Sequence, residues 1–236
     1  MPRSPMWKEI ASALTGEIGA GHYAPGDKLP TEAALAERFG VNRHTVRHAL
    51  AVLAEAGTVH ARRGAGVFVT ARPTEYQIGR RVRFRQNIEA AGRVPSRRIT
   101  RVETLPGAAA EVEALGLPPG ALVHVVEGVS LADGQPLAAF RSVFPADRLA
   151  GFAALVTAAG SITEALAAAG VPDYTRATTR ITATTAPAML ALTLQVPEGA
   201  PVLRTRAVNL DGQGQPIEFG TTWFAGDRVT LTVAPD

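Results

Sequence analysis

Four polar residues within one and a half helical turns have the side chains needed to recognise a nucleic acid. Arg43, His44, Thr45 and Arg47 stand at the start of a segment whose apolar residues recur with helical spacing. Arginine can form two parallel hydrogen bonds to guanine, and all four side chains can bind phosphate oxygens. Because residues 43 and 47 are one turn apart, we expect both arginines to enter a major groove together.

Two short helices joined by a tight turn are predicted to position these side chains. Thr31 is a favourable N-cap and Gly40 ends the first helix, whereas Asn42 caps the second. The second helix has one apolar stripe, formed by Val46, Ala49, Leu50 and Leu53. This arrangement indicates a helix-turn-helix. An earlier amphipathic helix, from about residue 5 to residue 20, is expected to complete its core.

A hairpin is predicted to follow the second helix. Residues 58–60 and 67–70 are rich in β-branched side chains, which predicts two short strands. The segment between them reads Arg62-Arg63-Gly64-Ala65-Gly66. Its glycines can adopt positive φ and let the backbone approach a phosphate. The combination is typical of a winged helix-turn-helix.

These motifs resemble the GntR family of bacterial transcription regulators. The resemblance rests on residues 29–32, 35–36, 39–41, 43–47, 49–50, 53 and 64–66. It implies that the winged helix binds operator DNA. The predicted contacts are Thr31, Arg38, Asn42, Arg43, His44, Thr45, Arg47, Arg62, Arg63, Gly64 and Gly66. Ala33 departs from the family pattern, since many members have a charged residue there that touches the DNA backbone.

Composition excludes several classes of protein. The chain has no cysteine, so disulfides, zinc fingers and thiolate chemistry are excluded. Its histidines lack metal-ligand spacing, and neither a metal nor a cofactor is predicted. No apolar run approaches the roughly 18 residues of a membrane span, so a cytoplasmic protein without membrane contact is expected. Residues 74–101 contain eight arginines and two carboxylates, whereas residues 102–236 are acidic, as suits a chain with one end facing a polyanion.

The second part of the chain contains an internal duplication. Residues 84–92, 101–102, 115–121, 135–137 and 144–148 resemble residues 162–170, 180–181, 194–200, 215–217 and 224–228. Each half is predicted as helix, strand, helix, strand, turn and strand. Asp133-Gly134 and Asp211-Gly212 mark the two hairpin turns. We expect the halves to form one antiparallel sheet with helices on one side, an α+β architecture.

An anion site is predicted at the start of the helix that spans residues 84–91. Helix N-termini present unpaired N–H groups, and several arginines precede this one. The predicted ligand is a phosphate or phosphonate bound by Arg80, Arg83, Phe84, Arg85, Gln86 and Asn87. Alternatively, these arginines are solvated or contact DNA near the linker.

Two further residues are candidates for the same site. Arg141 lies between Phe140 and Val143 and is predicted to face a cleft, and Glu218 replaces Ala138 of the first half. A glutamate in an apolar strand usually needs a partner.

The second part of the chain resembles the HutC branch, whose effector domain is related in fold to chorismate lyase.

Within that branch, residues 78–80 and 83–84 are most similar to the phosphonate-utilisation regulators. The resemblance implies that Glu218 and Phe224 touch the effector, so the candidate set includes Arg141, Glu218 and Phe224. Sugar-sensing members carry Arg-x-Arg where this chain has Gly128-Val129-Ser130, which argues against an amino-sugar phosphate.

The sequence therefore predicts a homodimeric repressor that reads an inverted repeat in double-stranded DNA and responds to a small anion. The predicted division is a DNA-binding domain over residues 1–70, a linker over 71–79, and an effector-binding and dimerisation domain over 80–236. The alternatives are a lyase-like enzyme and an architectural DNA binder without a ligand. No acid–base or nucleophile constellation supports the enzyme, and the architectural binder leaves the second domain without a role.

Overall fold

The chain forms two compact units in the computed structural model, which describes residues 5–62, 64–70, 73–81 and 83–233. The first unit is Met1–Arg72 and the second is Pro73–Asp236. None of the helices in the described ranges has the length and apolar character needed to cross a membrane.

The first unit consists of three helices and a hairpin. Its elements are α1 (Met6–Gly19), α2 (Glu32–Phe39), α3 (Arg43–Glu55), β1 (Val59–Arg62) and β2 (Gly66–Val69). Thr31 Oγ1 accepts a hydrogen bond from the Ala34 N–H, and Gly40 ends α2 with a φ of 63°. The apolar stripe of α3 is buried in one core with Ile10 and Leu14 of α1. The predicted winged helix-turn-helix is therefore confirmed.

The wing is held to the segment that precedes α2. Its strands extend closer to the tip than predicted, since Arg62 pairs with Gly66. The Leu29 N–H donates to Val67 O, and the Val69 N–H donates to Asp27 O, both at 2.9 Å. These bonds fix the base of the hairpin beside the start of the helix-turn-helix.

The second unit is built on a six-stranded antiparallel sheet. Its strands are β4 (Pro95–Pro106), β5 (Leu122–Ala132), β6 (Gln135–Pro145), β7 (Tyr174–Thr185), β8 (Pro201–Asp211) and β9 (Pro216–Ala225). Its helices are α4 (Phe84–Ala90), α5 (Ala109–Ala114), α6 (Phe152–Ala159), α7 (Ile162–Ala168) and α8 (Ala188–Leu194). The strand order is β4-β5-β6-β9-β8-β7. The two halves of the duplication therefore meet at β6 and β9, and the predicted α+β class is confirmed.

Helices cover both faces of this sheet, so the prediction that they lie on one side is wrong. Phe140 and Phe144 of β6 pack against α6 and α7. Ala139, on the opposite face of the same strand, packs against α8, and Val143 packs against Leu115 at the end of α5. Successive residues of a strand point to opposite faces, and here both sets are apolar. Each face must therefore be covered.

The duplication is visible in the element order and in a reciprocal pair of arginines. Arg148 Nη1 donates to the Pro216 carbonyl at 2.8 Å, and Arg228 Nη1 donates to the Pro136 carbonyl at 2.7 Å. Each arginine follows the last long strand of its own half and binds the proline at the start of the corresponding strand of the other half, Pro216 in β9 or Pro136 in β6. Both arginines therefore link the two halves of the duplication.

The two hairpins differ in their turns. Asp133 and Gly134 have φ values of 49° and 76° and form the predicted two-residue turn between β5 and β6. The second hairpin does not turn at Asp211-Gly212 alone, because β8 ends at Asp211 and β9 begins at Pro216. Asp211 Oδ1 instead accepts from the N–H groups of Gln213 and Gln215, both at 2.9 Å. This carboxylate stabilises a longer loop.

Part of the predicted linker is a strand of the second unit. Residues 74–78 form β3 (Thr74–Ile78), which pairs in parallel with β10 (Val229–Val233). Thr74, Tyr76 and Ile78 are buried, and the intervening residues are exposed. This alternation is typical of a half-buried strand. The linker prediction is therefore wrong for residues 74–78.

Candidate functional sites

The N-terminus of α3 exposes the residues predicted to read DNA. Asn42 Oδ1 accepts from the Thr45 backbone N–H at 2.9 Å and from its hydroxyl at 3.0 Å. This double contact orders the first turn of the helix. Because the Asn42 and Thr45 side chains are hydrogen-bonded to each other, they are less available to contact DNA. Arg43 and His44 are exposed. These two are the side chains most available to base edges.

The other two predicted arginines are held by glutamates. Arg47 Nε and Nη2 donate to Glu32 at 3.1 and 2.7 Å, and the Arg47 guanidinium holds the pKa of Glu32 below its usual range. Arg38 forms a similar two-bond pair with Glu17 of α1, and it lowers the pKa of Glu17. Phosphate groups would have to compete with these carboxylates. Arg47 Nη1 is left free of the Glu32 contact and can reach a phosphate without breaking it.

The wing tip has the predicted backbone conformation. Gly64 and Gly66 have φ values of 76° and 115°. A Cβ atom at Gly66 would lie 2.7 Å from Lys28 Cε, so the Lys28 side chain runs past this strand. The Arg62 side chain and Arg63 lie outside the described residues. Lys28 is a further cation at the wing that the sequence reasoning missed.

The second unit contains a cavity between its sheet and the helices α4 and α7. Its volume is about 90 Å³, well below the roughly 300–1,000 Å³ of drug-sized ligand sites. The lining residues are Tyr76, Arg83, Phe84, Arg97, Phe140, Ser142, Ile162, Thr163, Tyr174, Arg176, Thr205, Ala207, Asn209, Glu218, Gly220 and Thr222. A ligand with few heavy atoms would fit this space.

Three arginines line the cavity in different states of pairing. Arg83 donates to Asp173 Oδ1 at 3.2 Å and to the Tyr174 carbonyl at 3.1 Å, with its guanidinium 3.6 Å from the Tyr174 ring centroid. The Arg97 guanidinium carbon lies 4.7 Å from the Phe140 ring centroid, and Arg176 Nε donates to the side-chain amide oxygen of Asn209 at 3.3 Å. Within the described part of the chain, neither Arg97 nor Arg176 has a carboxylate within ion-pair distance. These two can therefore accept a ligand anion.

Two tyrosines and a glutamate also belong to the polar lining of the cavity. Burial raises the pKa of Tyr76, and Arg176 and Arg97 act against that increase. Burial also raises the pKa of Tyr174. Both hydroxyls therefore remain protonated at neutral pH and can donate hydrogen bonds. Glu218 is only 8% exposed, and its Oε2 accepts from Asn209 Nδ2 at 2.6 Å.

Only three of the predicted effector residues line this cavity, namely Arg83, Phe84 and Glu218. Phe224 is buried against Tyr76 in a neighbouring core, with ring centroids 5.0 Å apart. Asn87 bonds the backbone of Gln77. The exposed residues Arg80, Arg85 and Gln86 do not line the cavity. Arg85 pairs with Glu89 one turn along α4. Within α4, Phe84 at the start of the helix lines the cavity, whereas Ile88, one turn later on the same side, is buried in the neighbouring core.

Arg141 is on the other face of the sheet, so the expectation that it shares a site with Glu218 is wrong. Its Nη2 donates to Glu111 at 2.8 Å and its Nη1 donates to Glu127 at 2.9 Å. Arg141 pairs across the strands with Thr221, whereas its neighbour Phe140 faces the cavity. Strand alternation places adjacent residues on opposite faces. Arg141 instead lines an open groove of about 800 Å³ beside α8.

Sequence reasoning missed Arg97 and Arg176, although a signal for them exists. The two residues are separated by the same offset as Arg101 and Arg180, which do belong to the recognised duplication. In the sheet, Arg97 is opposite Ser130 and Arg176 is opposite Asn209. They are therefore equivalent residues of the two halves that converge on one cavity.

A winged helix-turn-helix in one unit, with a ligand-sized cationic cavity in another, defines a class of transcription regulators. The model of the family "Bacterial regulatory proteins, gntR family" matches residues 7–69, and that of the UTRA domain matches residues 90–230. The chain belongs to the GntR family and carries a UTRA domain. The predicted resemblance to the HutC branch and to PhnF-type regulators is confirmed.

Similar proteins are found along nearly the whole chain. The "Probable transcriptional regulator PhnF" of Escherichia coli K12 is 32% identical over 96% of this chain and 94% of its own. The "HTH-type transcriptional repressor NagR" of Bacillus subtilis 168 is 27% identical over 96% and 93%. The crystal structure of PhnF from Mycobacterium smegmatis has a TM-score of 0.65 at 26% identity, covering 98% of this chain and 99% of that one. The matched domains and relatives are transcription regulators, not enzymes.

Proposed function

We propose that this protein is a homodimeric repressor that binds an inverted-repeat operator and changes its DNA affinity when a small phosphate- or phosphonate-type anion binds. The first unit would be the DNA-binding domain and the second the effector-binding and dimerisation domain, acting in the cytoplasm with the DNA. The observation that carries the proposal is the cavity in which Arg97 and Arg176 have no carboxylate within ion-pair distance among the residues that the structure describes. A ligand can shift the DNA-binding equilibrium only by its differential affinity for the two states.

The DNA-binding part of the proposal rests on the exposed first turn of α3. Arg43 and His44 would contact base edges, while Arg47, Arg38 and the wing residues 62–66 would contact phosphates. Asn42 and Thr45 would support the turn, and Thr31 would contact the backbone near its cap. Repression is supported by the named activity of NagR, a relative along nearly the whole chain.

A mobility-shift titration of the full chain tests this part, with an operator selected from a random DNA library. Arg43→Ala should weaken binding by roughly 1–3 kcal/mol and relax specificity at one base pair. Arg85→Ala is the comparison variant, because Arg85 is exposed and distant in sequence. An equal loss for both variants would favour the alternative in which the segment around residue 85 contacts DNA.

Dimerisation is proposed through the face of the second unit that carries α8. Met189 and Leu192 are 74% and 73% exposed on this helix, which is unusual for large apolar side chains. The same face has exposed arginines in the second half, Arg180 and Arg206, and an exposed carboxylate in the first half, Glu113. An isologous interface can bring these opposite charges together.

Sedimentation velocity tests the dimer. Met189→Glu combined with Leu192→Glu should yield monomers at concentrations where the wild type is dimeric. A dimer that survives both substitutions would exclude this face.

A further inference from the structure

We propose that the effector is a short zwitterion: its phosphonate or phosphate group meets Arg97 and Arg176, and its amino group meets Glu218. This inference rests on the proposed function, since it assigns the ligand of the same cavity. It adds a second charge of opposite sign to the ligand and a residue that selects for it.

The first observation is the isolation of the Glu218 carboxylate. Its side chain is buried, and the hydrogen bond to its Oε2 comes from the neutral amide of Asn209. The described residues place no lysine, arginine or histidine nitrogen within ion-pair distance of it. A buried carboxylate without a cationic partner is costly, and a partner supplied by a ligand removes that cost.

The second observation is the open space beside the other carboxylate oxygen. A Cβ atom at Gly220 would lie 3.5 Å from Glu218 Oε1 and 3.9 Å from Ser142 Oγ. All three residues line the cavity. The equivalent of Gly220 in the first half is Phe140, whose ring fills its side of the same cavity. Glycine therefore leaves room for a ligand group at Oε1.

The third observation is an amide that keeps the charges apart. Arg176 Nε donates to Asn209 Oδ1 at 3.3 Å, and Asn209 Nδ2 donates to Glu218. Asn209 thus contacts both a cation, Arg176, and an anion, Glu218. Arg97 is held over Phe140, also away from Glu218. Among the residues that the structure describes, Arg97, Arg176 and Glu218 have no ion-pair partner, so the cavity complements a molecule that carries charges of both signs.

The size of the cavity limits the distance between the two ligand charges. At about 90 Å³, well below the roughly 300–1,000 Å³ of drug-sized ligand sites, the cavity suits a ligand with few heavy atoms, so the probe has a short linker. The probe is therefore 2-aminoethylphosphonate, and its matched control is ethylphosphonate, which lacks only the amino group. β-Alanine carries a carboxylate in place of the phosphonate and tests the anionic end.

Isothermal titration calorimetry on the full chain, with wild type and Glu218→Gln, gives the decisive comparison. Wild type should bind 2-aminoethylphosphonate at least about tenfold more tightly than ethylphosphonate, as expected for one charge-assisted hydrogen bond. Glu218→Gln should lose this preference and keep its affinity for ethylphosphonate. Glu127→Gln is the control variant, because Glu127 lies on the opposite face of the sheet. Thermal unfolding verifies that each variant is folded.

The outcomes separate this inference from the proposed function. Equal binding of the two phosphonates by wild type would overturn the zwitterion and leave the anionic effector standing. A preference for the amine that persists in Glu218→Gln would overturn the role of Glu218. If wild type bound neither phosphonate, or preferred β-alanine, the phosphonate-type effector itself would be refuted.

Discussion

The two halves of the second unit share their element order but not their chemistry. The first half has Ser130, Ala138 and Phe140 where the second has Asn209, Glu218 and Gly220. Of the first set, Phe140 lines the cavity with its ring, whereas all three residues of the second set line it and provide an amide, a carboxylate and a position without a side chain. Arg97 and Arg176 line the cavity from equivalent positions of the two halves, whereas the third arginine, Arg83, has Ser161 as its counterpart.

This difference shows how a duplicated fold can acquire a directional site. Two identical halves would surround the cavity with the same groups on both sides and could not orient a ligand with two different ends. Here Arg97 and Arg176 keep the symmetry, and the residues at positions 209, 218 and 220 break it. The linking arginines Arg148 and Arg228 are likewise equivalent in position but unequal in burial.

The largest difference between the halves should appear in stability when the linking arginines are removed. Arg228 is 4% exposed and donates to the carbonyls of Pro136, Leu194 and Gln195. Arg228→Ala leaves these buried acceptors unsatisfied and should lower the free energy of unfolding by about 3 kcal/mol or more. Arg148→Ala should cost about 1 kcal/mol or less, because its ion pair is partly solvated.

Urea unfolding followed by Trp223 fluorescence, in a Trp7→Phe background, reports on the second unit alone. If Arg148→Ala and Arg228→Ala lowered the free energy of unfolding equally, the difference in burial between the two arginines would have no effect on stability.

The second comparison concerns the arginines of the cavity. Arg97→Ala and Arg176→Ala should each weaken binding of ethylphosphonate by roughly 10- to 100-fold, the range for hydrogen bonds to a charged group. Calorimetry on the full chain measures both. Arg98→Ala is the matched control: it is adjacent in sequence but lines the groove on the opposite face. A loss confined to one of the two cavity arginines would show that only one half binds the anion.

The third comparison concerns the two Asp-Gly sequences. Gly134 has a φ of 76°, whereas Gly212 is not among the positive-φ glycines and has open space around its Cβ position. Gly134→Ala should therefore destabilise the second unit by about 1 kcal/mol, and Gly212→Ala should have almost no effect. Thermal unfolding of Gly134→Ala, Gly212→Ala and the wild type measures this difference in stability. A destabilised Gly212→Ala would indicate that the longer loop is strained as well.

The smallest effect should be the pH dependence contributed by the two turn aspartates. A hydrogen bond from Arg93 lowers the pKa of Asp133. Burial raises the pKa of Asp211, but hydrogen bonds from the backbone N–H groups of Gln215 and Gln213 and from Arg148 outweigh that effect, so this pKa is lowered as well. A folded-state pKa below the unfolded value of about 3.9 stabilises the fold above that pH. This stabilisation is lost as the pH falls through the folded-state values.

Unfolding measured at pH 7 and pH 3 should therefore show a smaller acid destabilisation for Asp133→Asn and Asp211→Asn than for wild type. An unchanged difference between the two pH values would contradict the assigned pKa directions.

Much of the fold could be predicted because its signals are local. The caps at Thr31 and Asn42, the stripe along α3 and the Asp133-Gly134 turn each depend on a few consecutive residues. The duplication gave the element order of the second unit. The side on which its helices lie was missed, because apolar residues on both faces of a strand carry no marker of which helix covers them.

The sequence by itself determined the winged helix, the duplicated α+β domain and the family, since these follow from spacing and motifs. Only the tertiary structure decided which arginines share the cavity. Arg97 and Arg101, like Arg176 and Arg180, would share a face if the strands alternated regularly. A β-bulge after Ile99 and another after Arg176 reverse the alternation, so the first arginine of each pair faces the cavity and the second faces away. A single extra residue in a strand changes which face a side chain occupies, and nothing in the local sequence marks it.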